Sequence, residues 1–374
     1  MIYFDNSATT WPKPEIVYKK ADELSRNFAF NAGRGNYKAS QHAQDLLDIA
    51  RAAIAELGNS KSEDVYFSAS ATEALNQIIF GSQLGSADNV YVSPFEHNAI
   101  IRPLTVLDVN LIQIPFDSKD WQPDSEKIEM LFKKYPPKAV FLSEVSNVTG
   151  YKLPWQTIFG LAEQYGAIRV LDASQSFGLV DSDYENLDYL VFNGHKSLYG
   201  IMGAAGFIKY SNCSLFPYIY GGTGSDSLSG EMPKTGSSRF EAGTHNLPAV
   251  AVLIDSISWL SKQSQEKKKR LTEKLITELE KIDGIHLYLP PNGQTEGIVS
   301  FNLGGYSSSE LAEILDQDFD IAVRSGYHCA PLVHDFIGSH DFLGTVRVSL
   351  GFFNTEAEVD QLIEALETLS EELG

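Results

Sequence analysis

The sequence has little cysteine, little positive charge and no long hydrophobic run. Its 374 residues include only two cysteines, Cys213 and Cys329, too few and too widely spaced for a disulfide framework, so we expect a reducing, cytoplasmic location. Lys and Arg number 29 against 49 Asp and Glu, a formal net charge of −20, which argues against nucleic acid or an anionic membrane as the main partner. No apolar run approaches the roughly 20 residues that span a bilayer, and the first residues lack a signal-peptide pattern.

Short β-branched and aromatic runs alternate with amphipathic stretches through the first two thirds of the chain. Strand-like runs occur at 65–67, 89–92, 139–142, 168–171 and 189–192. This alternation predicts an α/β fold with a mostly parallel sheet covered by helices on both faces. After residue 246 a long helical stretch and a mixture of short strands and helices follow, which is typical of a smaller α+β domain. We therefore predict a large domain at 14–246 and a small domain formed by 1–13 and 247–374.

The strongest local signal for chemistry is a lysine just after a strand-like run, in Asn193-Gly194-His195-Lys196. Burial would lower the pKa of such a lysine and make it a nucleophile able to form a Schiff base. Asp172 ends the preceding strand-like run, where a carboxylate could keep the ring nitrogen of pyridoxal phosphate (PLP) protonated. Taken singly, an exposed loop lysine and a helix-capping aspartate remain open as alternatives.

Three further segments follow strand-like runs and could line a cofactor pocket. Small residues at 68–71 lead into Thr72 and a helix, a pattern whose backbone N–H groups suit a phosphate, although plain helix capping by Ser70 and Glu73 explains it as well. His97 could stack on an aromatic cofactor and carry protons, and Asn147 lies where a strand gives way to a turn. Ordinary turn chemistry is the alternative for both.

Two residues near the C-terminus are candidates for substrate chemistry. Cys329 follows a histidine on a loop with Gly and Pro, so it could be an accessible thiol of lowered pKa, or else a small buried hydrophobe. Arg347 lies inside a strand-like run, where a buried guanidinium needs either a substrate carboxylate or a structural salt bridge. The spacing of Cys329 and its neighbouring histidines matches no familiar metal-ligand set, so no metal is expected.

The ordered motifs resemble those of the cysteine desulfurases, group II-like, of the class V aminotransferase superfamily. The resemblance runs nearly end to end, from residue 3 through residue 350. Its motifs are, in order, YFDNSATT, ATEALN, EHNAII, SNVTG, LDASQS, NGHKS, RFEAGTHN, RSGYHCAP and VRVSL. The resemblance implies PLP as cofactor and the PLP-dependent transferase fold type I, whose large domain holds a mostly parallel seven-stranded sheet. It also implies a homodimer with active sites near the subunit interface, an amino acid substrate and a sulfur-acceptor protein as a further partner.

The resemblance assigns a role to each site residue. Lys196 would carry PLP as a Schiff base, Asp172 would pair with the ring nitrogen, Gln175 would bind the ring oxygen and His97 would stack on the ring. The phosphate would be held by Thr72 and His195, joined by Thr244 of the neighbouring subunit, and the other cofactor-binding residues would be Ala71, Asn193 and Asn147. The substrate would be bound by Arg347 through its carboxylate, with Asn147, Arg324, Asn31 and Arg34 nearby.

Cys329 would take the sulfur of cysteine as a persulfide and release alanine. Three positions depart from the family pattern: Tyr327 replaces a frequent second histidine, whereas Asn193 and Ala71 each replace a phosphate-binding hydroxyl. The departures leave open a selenocysteine lyase, an aminotransferase or β-eliminating lyase acting on another amino acid, or a non-catalytic sulfur-relay protein.

Overall fold

The computed structural model describes residues 1–33, 35–224 and 228–372. The strands are β1 (Ile2–Tyr3), β2 (Val65–Ser68), β3 (Asn89–Val92), β4 (Asn110–Gln113), β5 (Pro137–Ser143), β6 (Ile168–Asp172), β7 (Tyr189–Asn193), β8 (Ala205–Lys209), β9 (Ile285–Tyr288), β10 (Ile298–Leu303), β11 (Ile321–Ala322) and β12 (Val346–Ser349). The helices are α1 (Glu15–Asn27), α2 (Lys38–Leu57), α3 (Ala71–Gly81), α4 (Asn98–Val106), α5 (Ser125–Lys134), α6 (Trp155–Glu163), α7 (Leu247–Leu260), α8 (Glu266–Leu279), α9 (Ser308–Phe319), α10 (Pro331–Ile337) and α11 (Glu356–Glu371). Among these described helices, none is long and apolar enough to cross a membrane.

A seven-stranded sheet with the order β2-β8-β7-β6-β5-β3-β4 forms the centre of the protein. Only β8 runs antiparallel to its neighbours, and it lies between β2 and β7. The prediction of a mostly parallel seven-stranded sheet is therefore confirmed. Because β8 opposes both neighbours, β2 runs in the same direction as β7, so the carboxyl ends of all the other strands meet at one edge of the sheet.

Apart from the edge strand β4, the strands of this sheet are largely buried on both faces. Along β7, Leu190 and Phe192 pack into the core formed with α1, α2, α6 and α7, whereas Tyr189 and Val191 pack into the core formed with α3 and α4. Two covered faces explain why this segment reads as a continuous apolar run in the sequence rather than as an alternation. The sequence pattern missed β4, whose residues are half-buried or exposed.

A second, smaller core surrounds the antiparallel sheet β12-β10-β9 and the helices α8, α9 and α11. The N-terminal strand β1 pairs with β11, and Phe4 belongs to this small core. Helix α7 instead packs against α1 and α2 in the core of the large sheet. The predicted division after residue 246 stays a prediction, and the packing of α7 leads us to propose that the small domain resumes after Leu260.

Candidate active site

A cavity of about 220 Å³ lies at the carboxyl edge of the large sheet. The residues that line it follow β2, β3, β5, β6 and β7. They are Ser70, Ala71, Thr72, His97, Ala99, Ser143, Val145, Asn147, Asp172, Ser174, Gln175, Asn193, His195 and Lys196. All the residues predicted from one subunit to hold the cofactor thus surround one space. The topology explains this, since parallel strands deliver the residues after them to the same crevice.

Lys196, which follows β7, is the reactive amine of this cavity. Burial lowers the pKa of its amine to about 8, the nearby Asp172 carboxylate opposes that shift, and the charges of Arg347 and Arg324 add to it. A larger fraction of this amine is therefore neutral near physiological pH than for an exposed lysine. A neutral amine is the nucleophile that Schiff-base formation requires.

Asp172 is the last residue of β6 and is almost completely buried. Its Oδ1 atom accepts hydrogen bonds from the backbone N–H of Ser174 at 3.0 Å and from the Ser174 hydroxyl at 2.5 Å. Two donors on one oxygen fix the direction of the carboxyl group. The side chain is thus held at the wall of the cavity, where a partner for a ring nitrogen must be.

His97 caps the N-terminus of α4 and forms another wall of the cavity. Its Nδ1 atom accepts a hydrogen bond of 3.0 Å from the backbone N–H of Ala99, so the proton of the neutral ring is on Nε2. Burial and the charge of Lys196 lower the pKa of His97 to about 4. The imidazole is therefore neutral near pH 7 and presents an N–H donor rather than a positive charge.

The N-terminus of α3 supplies the end of the cavity suited to a phosphate. Ser70 caps this helix by accepting from the backbone N–H of Glu73 at 3.2 Å, so helix capping and a helix end that faces the cavity coexist. Nearby, Asn193 Oδ1 and His195 Nδ1 are buried without a hydrogen-bond partner. Unpaired buried polar atoms are uncommon in native proteins and point to a polar ligand. The free backbone N–H groups of the helix end and His195 Nδ1, which donates in one tautomer, suit a phosphate. With the lysine and the acid, this arrangement fits PLP.

Arg347 is buried in β12 and already has a charged partner. Its Nη2 atom pairs with the carboxylate of Asp5, and Nη1 donates to the backbone oxygen of Asn147 at 2.9 Å. The structural salt bridge that the sequence left open is therefore present, whereas binding of a substrate carboxylate stays a prediction. Asn147 also donates through Nδ2 to the backbone oxygen of His328 at 2.9 Å, which links Arg347 to the cysteine loop.

Cys329 is exposed. The alternative interpretation of this residue as a small buried hydrophobe is therefore wrong. His328 and Cys329 have successive positive φ angles of 46° and 55°, a conformation that L-residues adopt at a cost and only where neighbours enforce it. The backbone N–H of Asn98 donates to the Cys329 carbonyl at 2.6 Å, and Arg324 Nη2 lies 3.9 Å from Cys329 Sγ. The thiol is thus on a fixed loop attached to the cavity wall.

Thr244 and Asn31 do not reach this cavity within one chain. Both line a separate cavity of about 160 Å³, and Arg34 lies outside the described residues. The segment that carries Thr244 is fixed by Glu241, which bonds Arg51 at 2.7 and 3.0 Å and the backbone N–H of Phe67 at 2.7 Å. Sequence reasoning missed Glu241 and Arg51, and their only signal was the position of Glu241 inside a motif.

In the part of the chain that the structure describes, no three His, Cys, Asp or Glu side chains are close enough to hold a metal ion. Two histidines near Cys329 have protein partners instead. His328 Nε2 lies 2.9 Å from both oxygens of Thr345, and His334 Nδ1 lies 2.7 Å from the Ser339 hydroxyl.

A half-buried lysine of lowered pKa, a fixed acid and a helix end around one cavity of a mostly parallel sheet define an α/β enzyme of the kind that holds an aldehyde cofactor. The class V aminotransferase model matches residues 2–362. The probable cysteine desulfurase of Pyrococcus abyssi is 32% identical, over 100% of this chain and 95% of that protein. The corresponding protein of Methanothermobacter thermautotrophicus is 31% identical, over 99% and 94%. The apo structure of the cysteine desulfurase of Thermococcus onnurineus has a TM-score of 0.90 at 29% identity, over 99% and 95% of the two chains.

The chain therefore belongs to the class V aminotransferase family, which implies PLP as the cofactor of the enzyme. The resemblance of the motifs and the fold predicted from them are confirmed.

Proposed function

We propose that this protein is a PLP-dependent cysteine desulfurase that converts L-cysteine to L-alanine and leaves a persulfide on Cys329. One observation carries the proposal: the wall of the Lys196 cavity also fixes the loop of an exposed cysteine. Asn98 and Asn147 hold the backbone oxygens of Cys329 and His328, next to the cavity that Asn147 lines. The names of the relatives agree with this activity.

The cofactor would be held by residues that already surround the cavity. Lys196 would bind its aldehyde carbon, Asp172 its ring nitrogen, and His97 and Gln175 its ring. The helix end at Ala71 and Thr72, with Asn193 and His195, would hold its phosphate. When bound, PLP supplies an electron sink that weakens the bond between the substrate's β-carbon and its sulfur.

The chain's own residues would bind the substrate and move its protons. A pKa of about 8 lets Lys196 gain and lose a proton close to neutral pH, which suits an acid–base group. His97 keeps an N–H donor on Nε2 because its Nδ1 is occupied. Arg347 would bind the substrate carboxylate after exchange with Asp5, and Asn147, Arg324 and Asn31 would border the substrate; Arg34 would join them.

Sulfur transfer would take place at Cys329. Its thiolate attacks the substrate sulfur and forms a sulfur–sulfur bond while the carbon–sulfur bond breaks. The electron pair of that bond stays on the carbon skeleton, which gains protons and leaves as alanine. A thiol reductant or an acceptor protein then takes the terminal sulfur. The guanidinium of Arg324 lies 3.9 Å from Sγ, so it would border the sulfur that is transferred.

A homodimer would complete the site, with Thr244 and Asn31 of one subunit near the cofactor of the other. The separate cavity lined by these two residues supports this arrangement. A cytoplasmic location, a sulfur-acceptor protein and the absence of a nucleic-acid partner are likewise proposals that rest on the sequence.

The test measures alanine and sulfide released from L-cysteine and dithiothreitol by the purified, PLP-loaded protein. We expect equal amounts of both from the wild type, none from Cys329→Ala, and unchanged release from the matched control Cys213→Ala. Cys329→Ala should keep the visible absorbance of the bound cofactor. Sulfide release by Cys329→Ala would contradict the persulfide step. Cofactor binding without any release from cysteine would favour an aminotransferase, which is then tested with other amino acids and selenocysteine.

A further inference from the structure

Three residues of the N-terminal segment converge on one backbone oxygen next to the reactive lysine. The carbonyl oxygen of His195 accepts from Lys13 Nζ at 2.7 Å, from the Thr9 hydroxyl at 3.1 Å, and from the backbone N–H and hydroxyl of Thr10, both at 3.2 Å. This oxygen belongs to the peptide that joins His195 to Lys196. A carbonyl oxygen has two lone pairs, so this concentration of donors exceeds what satisfying the peptide requires.

Lys13 brings a positive charge to this place without a negative partner. Its side chain is buried, with 8% of the residue exposed. Its ammonium donates to neutral oxygens: the His195 carbonyl and the hydroxyls of Thr10 at 2.6 Å and Thr9 at 3.4 Å. Among the described residues, no carboxylate lies within salt-bridge distance of it, and burial lowers its pKa to about 7. A buried ammonium without a counter-ion is costly, so about half of this amine is neutral near pH 7, and an anion close to it would favour the charged form.

The charge of Lys13 lies behind the end of the cavity suited to a phosphate. His195 lines that end together with Thr72. After burial and the charge of Lys196, the charge of Lys13 is the next cause that lowers the pKa of the His195 imidazole. The electric field of Lys13 therefore reaches the cavity at His195, although Lys13 itself does not line that cavity.

We propose that Lys13 is a positioning residue of the cofactor site, which fixes the His195–Lys196 peptide and supplies a counter-charge to the cofactor phosphate. The inference rests on PLP as the cofactor and not on the desulfurase reaction. It predicts that Lys13 matters for a ligand with a phosphate and hardly at all for the same ligand without one.

The test compares the dissociation constants of PLP and pyridoxal, which lacks the phosphate, for the cofactor-free protein. We expect Lys13→Gln, which keeps an N–H donor for the His195 carbonyl, to raise the dissociation constant of PLP by about tenfold or more. This is the scale expected for the loss of one partly screened charge. Pyridoxal binding should change less than about twofold on the same scale. Lys13→Arg, which keeps the charge, should stay near the wild type, as should the matched surface control Lys19→Gln.

Equal weakening of PLP and pyridoxal in Lys13→Gln would overturn the electrostatic role and leave a structural one. Unchanged binding of both would overturn the inference entirely. If circular dichroism shows that Lys13→Gln does not fold, the same comparison is made with Lys13→Met. Loss of the preference for PLP over pyridoxal in Lys13→Arg would also refute the electrostatic role of Lys13. A wild type that binds PLP no better than pyridoxal would count against the inference, whereas a wild type that binds neither would refute the cofactor itself.

Discussion

Replacing Asp5 by Asn should leave the guanidinium of Arg347 buried without its charged partner. Arg347 retains 2% of its side-chain surface and Asp5 retains 20%, and burial already lowers the pKa of Arg347. Breaking a fully buried ion pair costs about 3–5 kcal/mol. Because Asp5 is partly exposed and Arg347 keeps its hydrogen bond to the Asn147 carbonyl, we expect Asp5→Asn to lower the free energy of unfolding by about 3 kcal/mol, the lower end of that range.

The expected change in melting temperature follows from the length of the chain. Unfolding entropy is about 2.1 cal/mol/K per residue, or about 0.8 kcal/mol/K for 374 residues. A loss of about 3 kcal/mol then lowers Tm by about 4 °C. Thermal unfolding followed by circular dichroism measures this shift. The control is Glu63→Gln, which removes an exposed pair with Lys61 at 3.8 Å and should leave Tm unchanged, because exposed pairs contribute little.

The same variant tests whether Arg347 binds the substrate carboxylate. In the wild type, the carboxylate of a bound amino acid must displace the Asp5 carboxylate from Arg347, whereas in Asp5→Asn it need not. L-alanine should therefore bind the PLP-loaded variant more tightly and raise its Tm more than that of the wild type. A Tm equal to that of the wild type would refute the energetic role of the ion pair. Equal stabilisation of both proteins by L-alanine would refute the carboxylate role of Arg347.

Four further predictions concern other residues. Lys196→Ala should abolish the visible absorbance of covalently bound cofactor. In the cofactor-free wild type, the free energy of unfolding should rise between pH 8 and 10.5, because the unfolded chain still binds the proton that the folded amine has lost. Urea unfolding of Lys196→Met at a series of pH values should show a smaller rise over the same range. Burial would raise the pKa of Glu241, but His245 and Arg51 outweigh it and lower that pKa from 4.5 to about 2. The contribution of Glu241 to the free energy of unfolding is therefore complete above pH 4.5 and is lost as the pH falls through about 2. Acid unfolding curves of Glu241→Gln should lack this loss. Gly344→Ala should reduce sulfide release while cofactor absorbance stays, because φ is +106° and a Cβ there would lie 2.3 Å from the backbone oxygen of Gly326 on the cysteine loop.

Periodicity predicted five strands of the large sheet, and the ends of those strands pointed to five cavity residues: Thr72, His97, Asn147, Asp172 and Lys196. The count of seven strands and the other cavity residues came from the resemblance to the family. Lys196, Asp172 and Asn147 each follow a buried parallel strand, and such strands necessarily bring their following residues to one edge. The local sequence around each strand was therefore enough to place these three residues at one edge of the sheet. The same reasoning did not separate a helix cap from a phosphate site at Ser70, because both use the same free N–H groups.

The contacts that the sequence could not predict join distant parts of the chain. Asp5 pairs with Arg347, and Lys13 reaches the carbonyl of His195. Neither residue belongs to a periodic pattern, and single charged residues are mostly exposed. Only the folded arrangement of the N-terminal segment, between the two cores, gives these charges their partners. The packing of α7 against α1 and α2 was also not predicted, since a helix pattern does not state which core its apolar face enters.

The position of β8 has a consequence for the order in which the protein is assembled during synthesis. Strand β2, which carries the turn at Thr72, joins the sheet only through β8. Roughly 140 residues separate the two strands, and a ribosome needs about 7–28 s to add them. Until then β2 has no partner strand in the sheet, although β3, β5, β6 and β7 have all been synthesised. Slow translation before residue 205 would prolong the lifetime of an exposed β2 edge, which is a site for mispairing with other chains.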